Sequence, residues 1–396
     1  MTKITDIPAI RFKGFSDTWE QRKAKELFVS TADKGYPELP VLSATQDRGM
    51  IRRDENSINI FHDKKNEAGY KRVLPGQFVI HLRSFQGGFA HSAIEGITSP
   101  AYTVFGFSEP EKHDSEYWKY VFTSKSFIQR LETVTYGIRD GRSISYEEFL
   151  TLGFVYPSKA EQTAIARYLD KLSDLITLHQ RKYDKLTNVK KSMLEKMFPQ
   201  NGSNVPEIRF KGFTEAWEQR KLGEIGSVSM CRRIFKEQTS ENGEIPFYKI
   251  GTFGGEADAF ISRELFEEYK AKYQYPKKGD ILISASGSIG RTVVFTGKNE
   301  YFQDSNIVWL NHDKHLDNSF LKCFYSIVKW AGIEGSTIKR LYNDNILNTA
   351  ITLPSVEEQQ KIGAYFENLD NLITLHQREL EKLKNLKKAC LEKMFV

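Results

Sequence analysis

No Pro-Pro pair, no CxxC spacing and no apolar run near the roughly 18 residues of a membrane span occurs in this 396-residue sequence, and each absence removes a class of function. Without Pro-Pro there is no Asn/Asp-Pro-Pro-Tyr/Phe loop, so an adenine methyltransferase is excluded. Without G-x-x-x-x-G-K-[ST] there is no phosphate-cradling loop for an ATP-driven motor. The three cysteines, Cys231, Cys323 and Cys390, are isolated. They form neither a zinc set nor a disulfide framework, and buried or idle thiols are expected. The opening MTKITDIPAIRF lacks the apolar core of a signal peptide, which makes the cytoplasm the expected compartment. Glu268-Tyr269-Lys270 has the E-x-K form of a nuclease element but lies in the helical run ELFEEYKAKY. His312 and His315 lack a third ligand at a metal-binding spacing and read as solvated loop residues.

What is present is a duplication. Residues 7–23 (IPAIRFKGFSDTWEQRK) return at 205–221 as VPEIRFKGFTEAWEQRK, identical at 12 of 17 positions. Residues 161–198 return at 358–395, identical at 22 of 38, with LITLHQR and LEKMF intact. The offsets, 198 and 197, barely differ. The stretches between show no such similarity, as VIHLRSFQGGFAHSAIEG at 79–96 against ILISASGSIGRTVVFTGK at 281–298 illustrates. A duplicated frame around two unlike inserts suits recognition of two different sites at a set separation. The net charge of +6 favours a polyanionic partner.

Each shared C-terminal segment opens on Pro-Ser-x-x-Glu, Pro157 to Glu161 and Pro354 to Glu358, the pattern of a capping box. Apolar residues then recur at 4-3 spacing: Ile165, Leu169, Leu172, Ile176, His179, Tyr183, Leu186, Met193 and Met197, matched by Ile362, Phe366, Leu369, Ile373, His376, Leu380, Leu383, Cys390 and Met394. This is a coiled-coil seam carried by two helices of about 38 residues, roughly 57 Å each. Lys190 and Lys387 interrupt it at matching places, and His179 and His376 sit on it as polar residues that set register. Pairing the two seams antiparallel buries both and relates the halves by a pseudo-twofold axis.

The fold class expected is α+β (mixed α/β): two strand-rich domains joined by two long antiparallel coiled-coil helices. Gln77–Leu82 and Asp280–Ser284 read as strands after turn signals, and Ser115–Arg130 and Asn318–Trp330 as short helices. The expected boundaries are 1–156 and 205–353 for the two domains, 157–198 and 354–396 for the helices, and 199–204 for a polar linker.

The order of these features resembles the specificity subunit of type I restriction-modification systems. The residues that carry the likeness are the openings Arg11, Phe12, Gly14, Phe15, Trp19 and Arg209, Phe210, Gly212, Phe213, Trp217; the helix starts Pro157, Glu161, Gln162, Ile165 and Pro354, Glu358, Gln359, Ile362; and Lys278 to Ser284. The first half departs with Pro75-Gly76-Gln77 where the second has Lys278-Gly279-Asp280. The resemblance implies a non-catalytic reader of double-stranded DNA whose two target-recognition domains each bind one half of a split, asymmetric sequence. It also implies helices that set the unread spacer and dock two copies of a methyltransferase (modification) subunit, with a restriction/translocase subunit joining. No cofactor is then bound by this chain, and S-adenosylmethionine, ATP and Mg belong to the partners. The alternatives are a duplicated coiled-coil scaffold that binds other proteins, and a nuclease acting alone.

DNA contacts are expected from basic and amide side chains in the variable loops, because guanidinium and ammonium groups neutralise phosphates while Arg, Asn and Gln also pair with base edges. The candidates are Arg83, Ser84, Gln86, Arg139 and Arg142 in the first domain. In the second they are Arg232, Arg233, Ser286, Arg291, Lys339, Arg340, Tyr342 and Asn343. The groups at 139–142 and 339–343 occupy corresponding places, each beginning within twenty residues of its helix cap.

Overall fold

The computed structural model describes residues 7–45, 48–56, 64–81, 88–132, 145–200, 202–330 and 340–395. The chain divides into two units, Met1–Gln180 with Arg378–Val396, and Arg181–Gln377. The two long helices, Lys159–Lys196 and Val356–Lys393, are each continuous and each give one half to either unit.

The 4-3 spacing predicts which side of each helix is buried, and the burial follows it. Ile165, Leu169 and Leu172 are buried, and Ile176, His179, Tyr183 and Leu186 half-buried, while the residues between them are mostly exposed. In the first unit the start of one helix packs against the end of the other: Cys390 and Met394 share a buried core with Ile165, Ala166 and Leu169, and Lys387 Nζ donates to Ser173 Oγ at 2.8 Å. The numbers run in opposite senses, so this pairing is antiparallel. In the second unit Lys190 pairs with Asp370, whose carboxylate also accepts from Lys322 at 3.1 Å. Burial opposes ionisation there, but the two lysines hold the Asp370 carboxyl below its ordinary range. The seam lysines are thus interhelical polar contacts, a means of fixing register.

The shared openings make sense at these helix ends. The Ile10 amide donates to the Lys393 carbonyl, and the Ile208 amide to the Lys196 carbonyl, both at 3.0 Å, so each opening satisfies an orphan carbonyl of an arriving helix. Gly14 and Gly212 adopt φ +104° and +100°, which favours glycine in the RFKGF turn. Trp19 and Trp217 are buried, the latter with its ring 5.9 Å from Phe198 and 5.8 Å from Phe320. The next residues, Glu20–Lys23 and Glu218–Lys221, form short antiparallel ladders with Gly153–Tyr156 and Ala350–Leu353.

The helix starts differ from the capping-box expectation. The serine half is present in the second helix, where Ser355 Oγ accepts from the Glu358 amide at 3.3 Å. The glutamates instead turn away: both oxygens of Glu161 accept from Arg11 (2.9 and 2.7 Å), and both of Glu358 from Arg209 (2.9 and 2.7 Å). A half-buried guanidinium offers a buried carboxylate a bidentate, charge-assisted partner, which outcompetes a single backbone amide. The adjacent glutamines have their own task. Gln162 Oε1 accepts from the amide of Asp114, and Gln359 Oε1 from that of Asp317, the N-cap residues of helices Ser115–Thr123 and Asn318–Ile327.

The unlike inserts each contain a four-stranded sheet of the same topology. In the first unit the strand order is Phe28–Thr31, Thr103–Phe107, Phe78–Ile80, Phe89–His91; in the second it is Gly226–Met230, Ile307–His312, Ile281–Ser284, Thr292–Val294. Every pairing in both is antiparallel. The duplication therefore reaches into the regions where sequence similarity has gone, because a buried sheet requires apolar character rather than particular residues. His312 ends the last of these strands and its Nε2 lies 2.8 Å from Asn318 Oδ1, so it is a strand residue and not a loop one; His315 is exposed. All three cysteines are buried.

One glycine records a close approach. A Cβ on Gly363 would overlap the Ser319 side chain, standing 2.6 Å from its Cβ, and the corresponding residue of the first helix is Ala166. Gly363→Ala is expected to destabilise the second unit by about 1–3 kcal/mol despite alanine's better helix propensity. Urea denaturation checks this, and a gain in stability would contradict the packing.

Candidate nucleic-acid interface

Five of the thirteen candidates, Arg83, Ser84, Gln86, Arg139 and Arg142, lie outside the described residues, as does Lys339. The remaining seven belong to the second unit, at loops that leave its sheets.

Strand Gly226–Met230 ends on buried Cys231, after which Arg232 and Arg233 are exposed. Burial pushes the Cys231 thiol up to about 12, so it stays protonated beside these cations. The Arg232 guanidinium stands 5.2 Å from the Tyr273 ring centre, and its carbonyl accepts from the Tyr301 hydroxyl at 3.1 Å. Arg233 Nε donates to Asp304 Oδ2 at 2.9 Å while remaining 60% exposed.

Strand Ile281–Ser284 is fully buried, and the chain then turns through Ala285 to Gly290. Gly287 and Gly290 take φ +64° and +82°, left-handed values that a tight turn asks of glycine. Ser286 makes an antiparallel bridge with Arg340, and the Leu341 amide donates to the Ala285 carbonyl at 2.8 Å. Residues 54 apart in sequence are thereby held side by side. Ser286 Oγ donates to Asn306 Oδ1 at 2.8 Å, and Arg340 Nη2 donates to the Ser305 carbonyl at 3.3 Å.

Three candidates, Arg233, Ser286 and Arg340, thus converge on one short loop, Asp304-Ser305-Asn306, which the sequence reading did not select. Its polar run between Tyr301–Phe302 and the apolar strand Ile307–His312 was the available signal. Arg291 points elsewhere, donating to the Phe253 carbonyl at 2.6 Å. Tyr342 is 60% exposed beside the Arg340 guanidinium (5.7 Å to the ring centre), and Asn343 opens the short helix Asn343–Leu347, exposed. Two arginines, an exposed aromatic ring, a serine and an asparagine at loop tips above a rigid sheet supply phosphate contacts, a stacking or methyl-contact surface and amide donors for base edges. Among the described residues no group of three or more His, Cys, Asp or Glu side chains is placed to hold a metal, and no helix is long and apolar enough to cross a membrane.

Residues 214–385 match the family described as the type I restriction modification DNA specificity domain. A putative type I restriction enzyme specificity subunit of Haemophilus influenzae is 60% identical over 158 residues, 39% of this chain and 41% of that relative's own length. A putative type I restriction enzyme MjaX specificity subunit of Methanocaldococcus jannaschii is 22% identical over 98% of this chain and 93% of that one. The crystal structure of a type I restriction-modification S subunit from M. genitalium matches with a TM-score of 0.57 at 17% identity, covering 98% of this chain and 99% of that one, and supports the fold.

Proposed function

We propose that this chain belongs to the type I restriction-modification DNA specificity family and is the non-catalytic DNA reader of a restriction-modification complex, and that each of its units binds one half of a split, asymmetric target. The observation that carries the reading is the convergence of Arg233, Ser286 and Arg340 on one loop above a sheet whose topology recurs in the first unit. A duplicated sheet with unlike loops gives two readers of different sequence. The two long helices, each continuous from one unit into the other, would set the length of the unread gap.

Docking of other subunits is supported by the outer face of those helices. Leu175, Leu178, Arg181, Lys185 and Asn188 are all exposed, and so are their identical counterparts Leu372, Leu375, Arg378, Lys382 and Asn385. Packing within the chain does not account for keeping such residues twice. One kind of partner binding twice does, and two methyltransferase subunits are the proposed occupants. A restriction/translocase subunit would join them. S-adenosylmethionine, ATP and Mg would be bound by those partners, and the complex would work in the cytoplasm, where its DNA lies.

The test is co-expression with the methyltransferase subunit followed by mapping of methylated adenines in the host genome. A split motif with a fixed gap is expected; a stable complex that neither methylates nor binds duplex DNA would overturn the reading in favour of a protein-binding scaffold. Arg340→Ala is expected to weaken cognate DNA binding by about 1–3 kcal/mol and leave subunit assembly intact. Titration at several salt concentrations checks this, since each lost phosphate contact lowers the log–log salt slope by about one.

A further inference from the structure

We infer that Asn306 is a specificity-determining residue of the second unit and that it reads an adenine in the half-site which that unit binds. The inference rests on the DNA-reading proposal above and assigns to one side chain what that proposal gives only to a group of loops.

The loop around Asn306 is unusually constrained for its length. Strand Tyr301–Phe302 ends buried, and the next strand restarts on Ile307, which has no solvent exposure. Gln303 fixes the intervening backbone on one side: its amide donates to the Tyr248 carbonyl and its Oε1 accepts from the Ile250 amide, both at 2.9 Å. Within the loop the Asn306 amide donates to the Asp304 carbonyl at 2.5 Å, closing a tight turn about Ser305. Ser305 is the one non-glycine residue with positive φ among the described residues, at +50°. A serine held there costs conformational energy that glycine would avoid, and surrounding contacts must enforce it. Those contacts are the candidate DNA residues themselves, Arg340 on the Ser305 carbonyl and Arg233 on the Asp304 carboxylate.

This arrangement divides the labour. Arg233 and Arg340 are already engaged with the loop, so they supply positive charge and hold its shape. Asp304 carries the wrong sign for a phosphate and is neutralised by Arg233. Asn306 remains. Its Oδ1 accepts from Ser286 Oγ, which fixes which way the carboxamide faces. That leaves the two Nδ2 donors and one Oδ1 lone pair for an incoming group, and an amide with a donor and an acceptor side by side pairs bidentately with N7 and N6 of adenine. Such a pair is worth roughly ten- to hundredfold discrimination against another base.

The experiment is selection of bound duplexes from a random library by the complex with its methyltransferase subunit, for the parent protein and for Asn306→Ala, Asn306→Asp and Ser286→Ala. The parent should return a two-part consensus. Asn306→Ala should lose preference at one A·T pair in one half and leave the other half unchanged. Asn306→Asp, now an acceptor only, should turn from adenine towards cytosine at that pair, because a carboxylate accepts from cytosine N4. Ser286→Ala, which frees the carboxamide without altering the loop backbone, should loosen preference at the same pair. Variant consensus sequences identical to the parent's overturn the inference. So does an unchanged consensus for Ser286→Ala where the Asn306 variants fail to assemble. A parent complex that binds DNA with no consensus at all defeats the DNA-specificity proposal instead, whatever Asn306 does.

Discussion

Glu358→Ala is expected to destabilise the second unit by about 3–5 kcal/mol, and Glu161→Ala the first unit by a similar amount. Arg209 and Glu358 meet with side-chain exposures of 11% and 1%, and Arg11 and Glu161 with 12% and 2%. Two parallel N–H···O bonds fix each pair, and the hydrogen bonds to the carboxylates raise both guanidinium pKa values. The alanine variant leaves an arginine largely out of water without its bidentate carboxylate, and that penalty exceeds the net worth of the pair itself. The double variant Arg209→Met, Glu358→Leu should therefore recover much of the loss, since two apolar side chains of similar volume leave no stranded charge. Urea denaturation of the parent, the single and the double variants closes a cycle. A single variant costing under about 1 kcal/mol would put the pair with ordinary surface ion pairs and refute its role. The placement explains why both residues recur in both halves: each pair ties an opening segment to the first turn of a long helix.

The sequence made some of this visible and hid the rest for identifiable reasons. The helix seams were legible because a 4-3 repeat is local and a long helix has no competing register. The lysines at 190 and 387 showed as interruptions, yet their partners, Asp370 and Ser173, lie on the other helix and could not be named. The Ser-x-x-Glu pattern predicted helix starts correctly but misassigned the glutamates, because a local motif carries no information about Arg11 or Arg209, which lie 150 and 149 residues away. The sheet topology that recurs in the two units was hidden by the freedom of apolar cores to exchange residues. The interface was partly legible. Residue chemistry selected Arg233, Ser286 and Arg340, but the loop that gathers them is defined by contacts across 71, 20 and 35 residues. Asn306 was missed because nothing in Asp-Ser-Asn distinguishes a tied loop from a solvated turn.

Leu175→Glu combined with Leu178→Glu is expected to weaken binding of one methyltransferase subunit at least a hundredfold, and the same changes at Leu372 and Leu375 should remove the other. The four leucines are 42%, 46%, 44% and 53% exposed, one turn apart on each helix and followed by Arg181 and Lys185 or by Arg378 and Lys382. Burying a leucine contributes about 1.5–3 kcal/mol, so two per site account for two or more orders of magnitude in affinity. A carboxylate in their place would be desolvated without a partner, which adds to the loss. The substitutions should spare the fold, since all four side chains lie off the buried seam and glutamate is a good helix former. The basic residues of the same stripe call for an acidic, apolar-ridged surface on the partner, so docking through it should weaken at high salt. Calorimetric titration of the methyltransferase subunit into parent and variant chains, with circular dichroism to confirm helix content, measures both effects. One pair of substitutions should halve the stoichiometry and both pairs should abolish binding. Full assembly by the fourfold variant would show that the recurring leucines serve something other than this contact, and would leave the identity of the two outer faces without a partner to explain it.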